Sequence, residues 1–172
     1  MFRSMPAVRI LITGGTFDKV YDEITGQLYF RDSHVAEMLQ LGRCRLEVEL
    51  TTLMLIDSLD MTAADRDLIL RHCQATPENR IVITHGTDTM VDTARVLAAG
   101  VRNKTIVLTG AMIPIAFGSS DGLFNMGGAL TAVQILPPGV YIVMNGRVFD
   151  WDKVRKNREK GFFEPIPFPQ GG

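Results

Sequence analysis

The sequence predicts an α/β fold, with a single three-layer domain built on a mostly parallel sheet that has helices on both faces. Short apolar runs rich in β-branched residues alternate along the chain with segments whose apolar residues recur at helical spacing. The joins between these segments are short, which favours parallel strands connected by crossover helices. The 172 residues are enough to bury one hydrophobic core.

The first predicted elements are a strand and a hairpin. Residues 8–13 form an apolar, β-branched run that ends at a pair of glycines, so they predict the first strand. Residues 17–26 are polar and charged, and Gly26 offers a turn before a short strand at 27–30. We therefore expect a mobile β-hairpin flap directly after the first strand.

Helices and strands alternate through the middle of the chain. Apolar residues at helical spacing predict three helices, at 33–41, 62–73 and 91–98. Alternating or continuous apolar runs predict three strands, at 45–53, 81–84 and 105–108. Thr62 and Asp65 have the spacing of a capping box, which supports a helix start at this point.

The last predicted helix and strand complete a Rossmann-like or flavodoxin-like order. Apolar residues over 123–133 recur at helical spacing, and Asp121 is the expected N-cap of that helix. Residues 140–144 are the last strand that the pattern supports, and Pro137, Pro138 and Gly139 form the turn that leads into it.

We expect residues 1–172 to form a single domain, with a core at 6–158 and a tail at 159–172. The tail is rich in proline, which excludes a helix or a central strand there. Its phenylalanines are expected to dock on the domain or on a second subunit, and they are Phe162, Phe163 and Phe168.

Composition excludes several classes of partner. A formal net charge of -1 argues against nucleic acid or an anionic membrane, because either would require a basic surface. No apolar run approaches the roughly 20 residues of a spanning helix, and Arg9 interrupts the N-terminal apolar stretch that a secretory signal would need. Cys44 and Cys73 lack metal-type spacing, so we expect them to be reduced and buried. These features predict a cytoplasmic protein.

Hydroxyl side chains follow two of the predicted strands, at the sheet edge where α/β proteins bind ligands. Gly14 and Gly15 permit a tight turn, and Thr16 beside their N–H groups is a candidate nucleophile for acyl transfer. The alternative is a plain turn in which Thr16 caps a helix. The segment after the strand at 81–84 adds Gly86, Thr87 and Asp88, although helix capping alone would explain Asp88 or its neighbour Thr89.

Two further residues have side chains that could transfer a proton. Lys156 follows the last predicted strand, where the chain can return to the same edge of the sheet. Burial would lower the pKa of a lysine there and a neighbouring Asp88 would raise it, so sequence leaves a base and a solvated basic face both open. His85 is adjacent to a strand, where a single histidine is more often structural than catalytic, so it is not included in the site.

Five groups of segments, spread over almost the whole chain, carry a family resemblance. They are Thr13-Gly14-Gly15-Thr16; Asp57-Ser58-Leu59-Asp60-Met61; His85-Gly86-Thr87-Asp88-Thr89; Gly110-Ala111-Met112-Ile113-Pro114 with Ser120-Asp121-Gly122 and Phe124-Asn125; and Val143-Met144-Asn145 with Val148-Phe149-Asp150 and Lys156. In order and spacing they resemble the bacterial-type L-asparaginase family, in particular its N-terminal domain.

The resemblance implies a hydrolase of side-chain amides such as that of asparagine, without a metal or an organic cofactor. It implies Thr16 as nucleophile with Tyr21 of the flap as its activator, and Thr87, Asp88 and Lys156 as a second triad for proton transfer. The substrate-binding residues that it implies are Gly15, Ser58, Leu59, Gly86, Thr87, Asp88, Ala111 and Met112. Among these, Ser58 would hold the substrate's α-carboxylate and Asp88 would face its ammonium group.

This sequence departs from the family pattern in ways that affect recognition of an amino acid. Leu59 stands where the family usually has glutamine, and we find no counterpart of the family's C-terminal domain, which contributes an acidic residue to a neighbouring subunit's site. Tyr21 also lies in a charged context. Fewer polar partners for an ammonium group would weaken its binding, so we expect amide cleavage to be retained and asparagine recognition to be reduced.

The alternative function is a catalytically silent small-molecule-binding or regulatory module derived from the same fold. The presence of Thr16, Thr87, Asp88 and Lys156 together favours the enzyme, whereas Leu59 favours the binding module. A nucleotide-binding protein is disfavoured because no phosphate-binding glycine pattern occurs. The expected assembly is a homodimer or homotetramer.

Overall fold

The computed structural model describes residues 7–167 of the chain. These residues form ten strands, which are β1 (Val8–Gly14), β2 (Lys19–Asp22), β3 (Gln27–Phe30), β4 (Val48–Ile56), β5 (Arg80–Thr84), β6 (Thr105–Thr109), β7 (Gly139–Met144), β8 (Arg147–Asp150), β9 (Val154–Asn157) and β10 (Phe162–Pro165). They also form four helices, which are α1 (Val35–Leu41), α2 (Ala63–Ala75), α3 (Met90–Gly100) and α4 (Gly122–Ile135). None of these helices is long and apolar enough to cross a membrane.

Six strands form the central sheet in the order β4-β1-β5-β6-β7-β8. Every pair is parallel except β7 and β8, which run antiparallel. Numbered among themselves, the five parallel strands have the order 2-1-3-4-5, which is flavodoxin-like. The predicted mostly parallel α/β domain is confirmed, and the order places a topological switch point between β1 and β5.

Helices cover both faces of the sheet, as the sequence predicts. Ile69 of α2 and Leu97 of α3 are fully buried in the core on one face. Val35 of α1 and Met126 of α4 are buried in the core on the other. Most β-strand side chains are therefore enclosed, which explains why β5 and β6 appear in the sequence as continuous apolar runs rather than alternating ones.

The fourth strand is displaced from its predicted position. Alternation predicts a strand over 45–53, whereas β4 begins at Val48 and ends at Ile56. The end of β4 is apolar throughout because Met54 and Ile56 pack on one face of the sheet and Leu55 packs on the other. Burial on both sides removes the period-two signal over 54–56, so the pattern predicts a strand of the same length that begins and ends three residues too early.

Asp121 does not cap α4 as predicted. It occupies the N-cap position, but its side chain accepts no capping hydrogen bond from a backbone N–H of the first turn, and its contact with the helix is with the side-chain amide of Asn125 at 2.9 Å. Its carboxylate instead accepts from the backbone N–H of Met112 and of Ile113, at 3.0 Å for each. Asp121 therefore supports the backbone of the loop after β6 rather than the backbone of the helix that it precedes.

Three strands follow residue 144, where the sequence pattern gives no further support. β8 pairs with β7 at the edge of the sheet, and β9 and β10 form a separate antiparallel hairpin. Phe163 of β10 is 1% exposed and packs in the domain core, whereas Phe162 is partly exposed. Docking of the tail's aromatics on the domain is therefore found for Phe163, and Phe168 lies outside the described residues.

Candidate active site

Two glycine-containing turns touch at the switch point of the sheet. Gly14 ends β1 and Gly15 follows it, with φ angles of +98° and +79°, in the region that favours glycine. A Cβ atom on Gly15 would lie 2.4 Å from the backbone nitrogen of Gly86, which follows β5. Because a side chain at Gly15 would clash with the backbone of Gly86, its absence lets the segments that carry Thr16 and Thr87 pack directly against each other.

Thr16 opens a short 3-10 turn over Thr16–Asp18, and Gly15 occupies the N-cap position before it. The predicted alternative, in which Thr16 caps a helix, is therefore not adopted. Thr16 is half-buried. Within residues 7–167, no hydrogen bond links its hydroxyl to Lys156 or to Tyr21.

Lys156 of β9 reaches the turn after β5. Its Nζ donates to Thr87 Oγ1 at 2.8 Å and to Asp88 Oδ1 at 3.0 Å. The side chain of Lys156 is 13% exposed and Thr87 is 5% exposed, so their contact is largely screened from solvent. The interpretation of Lys156 as part of a solvated basic face is therefore wrong, and the structure brings a hydroxyl, an amine and a carboxylate together.

Asp88 also meets a second cation that sequence reasoning did not single out. Arg158 Nη2 lies 3.5 Å from Asp88 Oδ1, the oxygen that Lys156 contacts. The side chain of Arg158 is 67% exposed and that of Asp88 is 29% exposed. Arg158 lies in the turn that follows β9, two residues after Lys156. An exposed arginine in a charged segment gives no sequence signal that would have revealed this contact.

Ser58 lies at the back of the same turn. It is 1% exposed, and a Cβ on Gly86 would be 2.6 Å from its Oγ atom. The Thr89 hydroxyl donates to the Ser58 carbonyl at 2.8 Å. Thr89 therefore ties α3 to the Ser58 segment, and it holds the N-cap position of α3 without a side-chain capping bond.

Leu59 follows Ser58 and differs from it in exposure. Its side chain is 63% exposed, which is high for a large apolar residue. Its backbone N–H donates to Asp57 Oδ1 at 3.0 Å. The structure thus presents an apolar side chain to solvent beside a buried serine.

The loop after β6 contributes Ala111 and Met112. Ala111 is fully buried, and Met112 is half-buried with its N–H held by Asp121. Asn125 of α4 donates to the Gly110 carbonyl at 2.9 Å. One acidic residue and one amide thus fix the backbone of this loop at the carboxyl edge of the sheet.

The predicted flap is an antiparallel hairpin of β2 and β3. Tyr21 of β2 is 54% exposed, and the hydrogen bonds of residues 7–167 do not bring it to Thr16. At the start of the hairpin, Lys19 is hydrogen-bonded to the carboxylate of Asp57, and its Nζ lies 5.7 Å from the Phe30 ring centre. Although burial acts to raise the pKa of Asp57, the hydrogen bonds from Lys19 and from Leu59 N–H hold it below its usual value.

A buried carboxylate lies at the root of the flap. Asp18 precedes β2 and is fully buried, and its Oδ1 accepts from the His34 N–H at 2.7 Å. His34 follows β3 and precedes α1, so the contact joins the two ends of the hairpin. Burial raises the pKa of the Asp18 carboxyl, while the hydrogen bond from His34 N–H acts against this shift.

His85 has a structural position. It is fully buried, with Nδ1 2.7 Å from the Gly86 carbonyl and Nε2 2.7 Å from Thr93 Oγ1. Since a carbonyl only accepts, Nδ1 carries the proton and Nε2 accepts from the threonine hydroxyl. Burial lowers the pKa of the imidazole to about 4, so His85 is neutral near pH 7 and orients the carbonyl of Gly86.

The described residues hold no group of three or more histidine, cysteine, aspartate or glutamate side chains arranged to bind a metal ion. Both cysteines are free thiols. Cys73 is buried, and its burial raises the thiol pKa to about 12. Cys44 is only half-buried, contrary to the prediction that both would be buried.

The fold and the site define an α/β protein with hydroxyl and carboxylate groups at the carboxyl ends of two adjacent strands and an amine that reaches them from β9. A family model described as the N-terminal domain of asparaginase matches residues 7–169. The chain therefore belongs to the asparaginase family, through its N-terminal domain.

Individual relatives agree with this assignment. An L-asparaginase from Thermococcus kodakarensis is 33% identical over 170 residues, covering 93% of this chain and 51% of that protein. A solved structure of the thermostable L-asparaginase from the same organism has a TM-score of 0.82 and 31% identity, over 95% of this chain and 52% of that one. A protein of Methanococcus vannielii that belongs to a glutamyl-tRNA(Gln) amidotransferase is 36% identical, over 83% of this chain and 35% of that protein. The chain thus spans about half the length of the asparaginases that it matches.

Proposed function

We propose that this chain is an asparaginase-like amidohydrolase that cleaves a small side-chain amide and releases ammonia. The observation that carries the proposal is the contact of Lys156 Nζ with Thr87 Oγ1 at 2.8 Å and with Asp88 Oδ1 at 3.0 Å. An amine beside a nearly buried hydroxyl is suited to moving a proton to and from that hydroxyl. Relatives named L-asparaginase support the choice of reaction.

In the proposed first step, Thr16 Oγ1 attacks the amide carbon and forms a carbon–oxygen bond. The hydroxyl proton passes to a base, with Tyr21 as the proposed activator once the flap closes. The carbon–nitrogen bond then breaks, and the nitrogen leaves as ammonia after it receives the proton that the base took from Thr16. The product on the chain is an ester of Thr16.

In the proposed second step, water adds to the ester and the carbon–Thr16 bond breaks. Thr87 passes the proton of the water through the hydrogen-bonded group that it forms with Lys156 and Asp88, and a proton reaches Thr16 Oγ1 as the bond between the carbon and that oxygen breaks. The free acid leaves and the Thr16 hydroxyl is restored. Closure of the hairpin over the site would exclude bulk water until ammonia has left.

The substrate is held, in this proposal, by the turns that surround both threonines. Ser58 would bind a carboxylate of the substrate, because it is a buried hydroxyl that packs directly against Gly86. Gly15, Gly86, Ala111 and Met112 would line the cleft with backbone groups. Leu59 offers an apolar contact where a polar partner for an ammonium group would be expected, so recognition of asparagine is reduced.

The test is ammonia release from a panel of small amides by the wild-type chain and by Thr16→Ala. We expect the wild type to release ammonia and the variant to lose at least about a thousandfold in kcat, because its covalent step is removed. Thr25→Ala, which removes an exposed hydroxyl at the tip of the flap, is the matched control and should retain activity.

The two proposed functions differ in the outcome of this assay. Equal activity in wild type and Thr16→Ala would exclude the acyl-threonine mechanism. If neither releases ammonia from any amide of the panel, the silent binding module derived from this fold replaces the enzyme as the better proposal. We also propose that the chain assembles as a homodimer or homotetramer.

A further inference from the structure

We propose that Arg158 determines specificity by occupying the side of Asp88 that a substrate ammonium group would use. The substrate class that follows is the monoamide of a small dicarboxylic acid without an α-amino group, such as succinamate. The inference rests on the proposed function, because it concerns the same cleft and the same carboxylate.

The geometry around Asp88 carries the proposal. Its Oδ1 accepts from Lys156 Nζ at 3.0 Å and also lies 3.5 Å from Arg158 Nη2. An ammonium group that approached this oxygen would meet two cations already in contact with it. Binding of the ammonium would therefore require displacement of Arg158, which is 67% exposed and able to move away at a modest cost.

The wider charge balance favours the same substrates. Lys19 is paired with Asp57, and the charge of Lys156 also acts on Asp57. With Arg158 and Asp88 included, these groups comprise three cations and two carboxylates. A cleft with a surplus positive charge attracts a carboxylate and opposes an additional ammonium group.

Leu59 provides a separate argument. Its exposed side chain lies next to Ser58, the residue proposed to hold the substrate's carboxylate. A methylene group at the α position can pack on leucine without loss of hydration, whereas a charged ammonium cannot. Arg158 and Leu59 therefore oppose the same substituent through two different physical effects.

The experiment compares succinate with L-aspartate, which are the product acids without and with the amino group. Their binding to wild type, Arg158→Ala and Arg158→Lys is measured by isothermal titration calorimetry, which requires no turnover. We expect wild type to prefer succinate and Arg158→Ala to reduce that preference by about two- to fivefold, as for removal of an exposed ion pair. Arg158→Lys retains the charge and should retain most of the preference.

Arg95→Ala is the matched control, because Arg95 is 63% exposed and pairs with Asp92 on α3. It should leave the preference unchanged. The ratio of kcat/KM for succinamate to that for L-asparagine should shift in the same direction as the binding ratio.

An unchanged binding preference in Arg158→Ala would overturn the role of Arg158, even if ammonia is released. Preference for L-aspartate by the wild type would overturn the substrate class. A preference that moves as expected without ammonia release from any amide supports the role of Arg158 and contradicts the proposed hydrolysis, so the two failures are distinguishable.

Discussion

Two glycines allow the turns that carry the candidate reactive groups to pack closely together. At Gly15 there is no room for a Cβ because the backbone of Gly86 lies against it, and at Gly86 there is none because Ser58 fills the space. The sequence signals both glycines but not their mutual contact, because residues 71 positions apart have no local pattern that connects them. The sheet order supplies that connection.

Single residues also show how far the sequence can predict the candidate site. The sequence marks Thr87, Asp88 and Lys156, and the structure joins them by hydrogen bonds, whereas their roles in proton transfer stay predictions. Arg158 escapes notice because an exposed arginine in a charged segment has no distinctive pattern. The exposed position of Tyr21 is also not predictable, because it depends on how the hairpin rests on the domain.

His85 gives a prediction about acid stability. The unfolded chain binds a proton at His85 below about pH 6.5, whereas the folded chain does so only below about pH 4 because the imidazole is buried. Stability from this group is present above pH 6.5 and is lost as the pH falls toward 4. Between pH 7 and pH 5 its share of the unfolding free energy should fall by about 2 kcal/mol.

Urea titrations at pH 7 and pH 5 measure this loss. The unfolding free energy falls between pH 7 and pH 5, and this fall should be smaller by about 2 kcal/mol in His85→Gln than in wild type. His72→Gln, at a partly exposed histidine of α2, is the control and should behave as wild type. An equal pH dependence in His85→Gln and wild type would contradict the assignment of a neutral buried imidazole.

The flap is attached to the domain by side-chain contacts at two places. Asp18 and His34 join the ends of the hairpin at its root, and Lys19 fixes its first strand to Asp57. The sequence predicts the hairpin from a glycine turn between short strands. The charged residues that attach it to the domain look like ordinary surface residues in the sequence. Their partners lie just after β4 and just before α1, so only the folded chain reveals them.

Lys19→Met should loosen the hairpin without unfolding the domain. The variant loses an ion pair and leaves Asp57 without its main partner, while the sheet core is untouched. Hydrogen exchange should become faster over residues 19–30 by about two- to fivefold, in line with the free energy of a partly exposed ion pair. Mass spectrometry of peptides from this segment provides the measurement.

Lys153→Met is the control for the flap, because Lys153 forms an exposed pair with Asp150 away from the hairpin. Its exchange over residues 19–30 should equal that of wild type. If Lys19→Met and Lys153→Met exchange at the same rate there, the ion pair with Asp57 does not restrain the hairpin.

Over the whole molecule, the sequence predicts the strands of the central sheet better than the strands in the last quarter of the chain. β1, β5, β6 and β7 are apolar on both faces, so their positions follow from composition alone. β9 contains Val154, Arg155, Lys156 and Asn157, and no apolar pattern marks such a strand. Its position depends on pairing with β10 and on burial of Phe163, which is a long-range effect.

The surface of the domain gives a physical basis for the proposed assembly. Phe124 and Ile135 of α4 are 66% and 77% exposed, and Val148 on the edge strand β8 is 50% exposed. Grouped apolar side chains of this size favour association. A second copy of the chain can cover this face with the same face, since two-fold symmetry makes an interface self-complementary.

Light scattering of the purified chain should therefore give two or four times the mass of one copy. Ile135→Glu places a charge in the proposed interface and should shift the population toward the single-chain mass. Ile24→Glu, at the tip of the hairpin where Ile24 is 91% exposed, should leave the mass unchanged. A wild-type chain of single mass at every concentration would exclude the assembly.

The hairpin of β9 and β10 completes the candidate active site late in synthesis, because it carries Lys156. The ribosome releases the amino end first, so all six strands of the central sheet, within residues 8–150, emerge before β9. Phe163, which pairs opposite Lys156, emerges later still. A nascent chain can thus assemble its sheet with both threonines in place while the amine is still absent, so the proposed chemistry has to wait until β9 and β10 have emerged and paired.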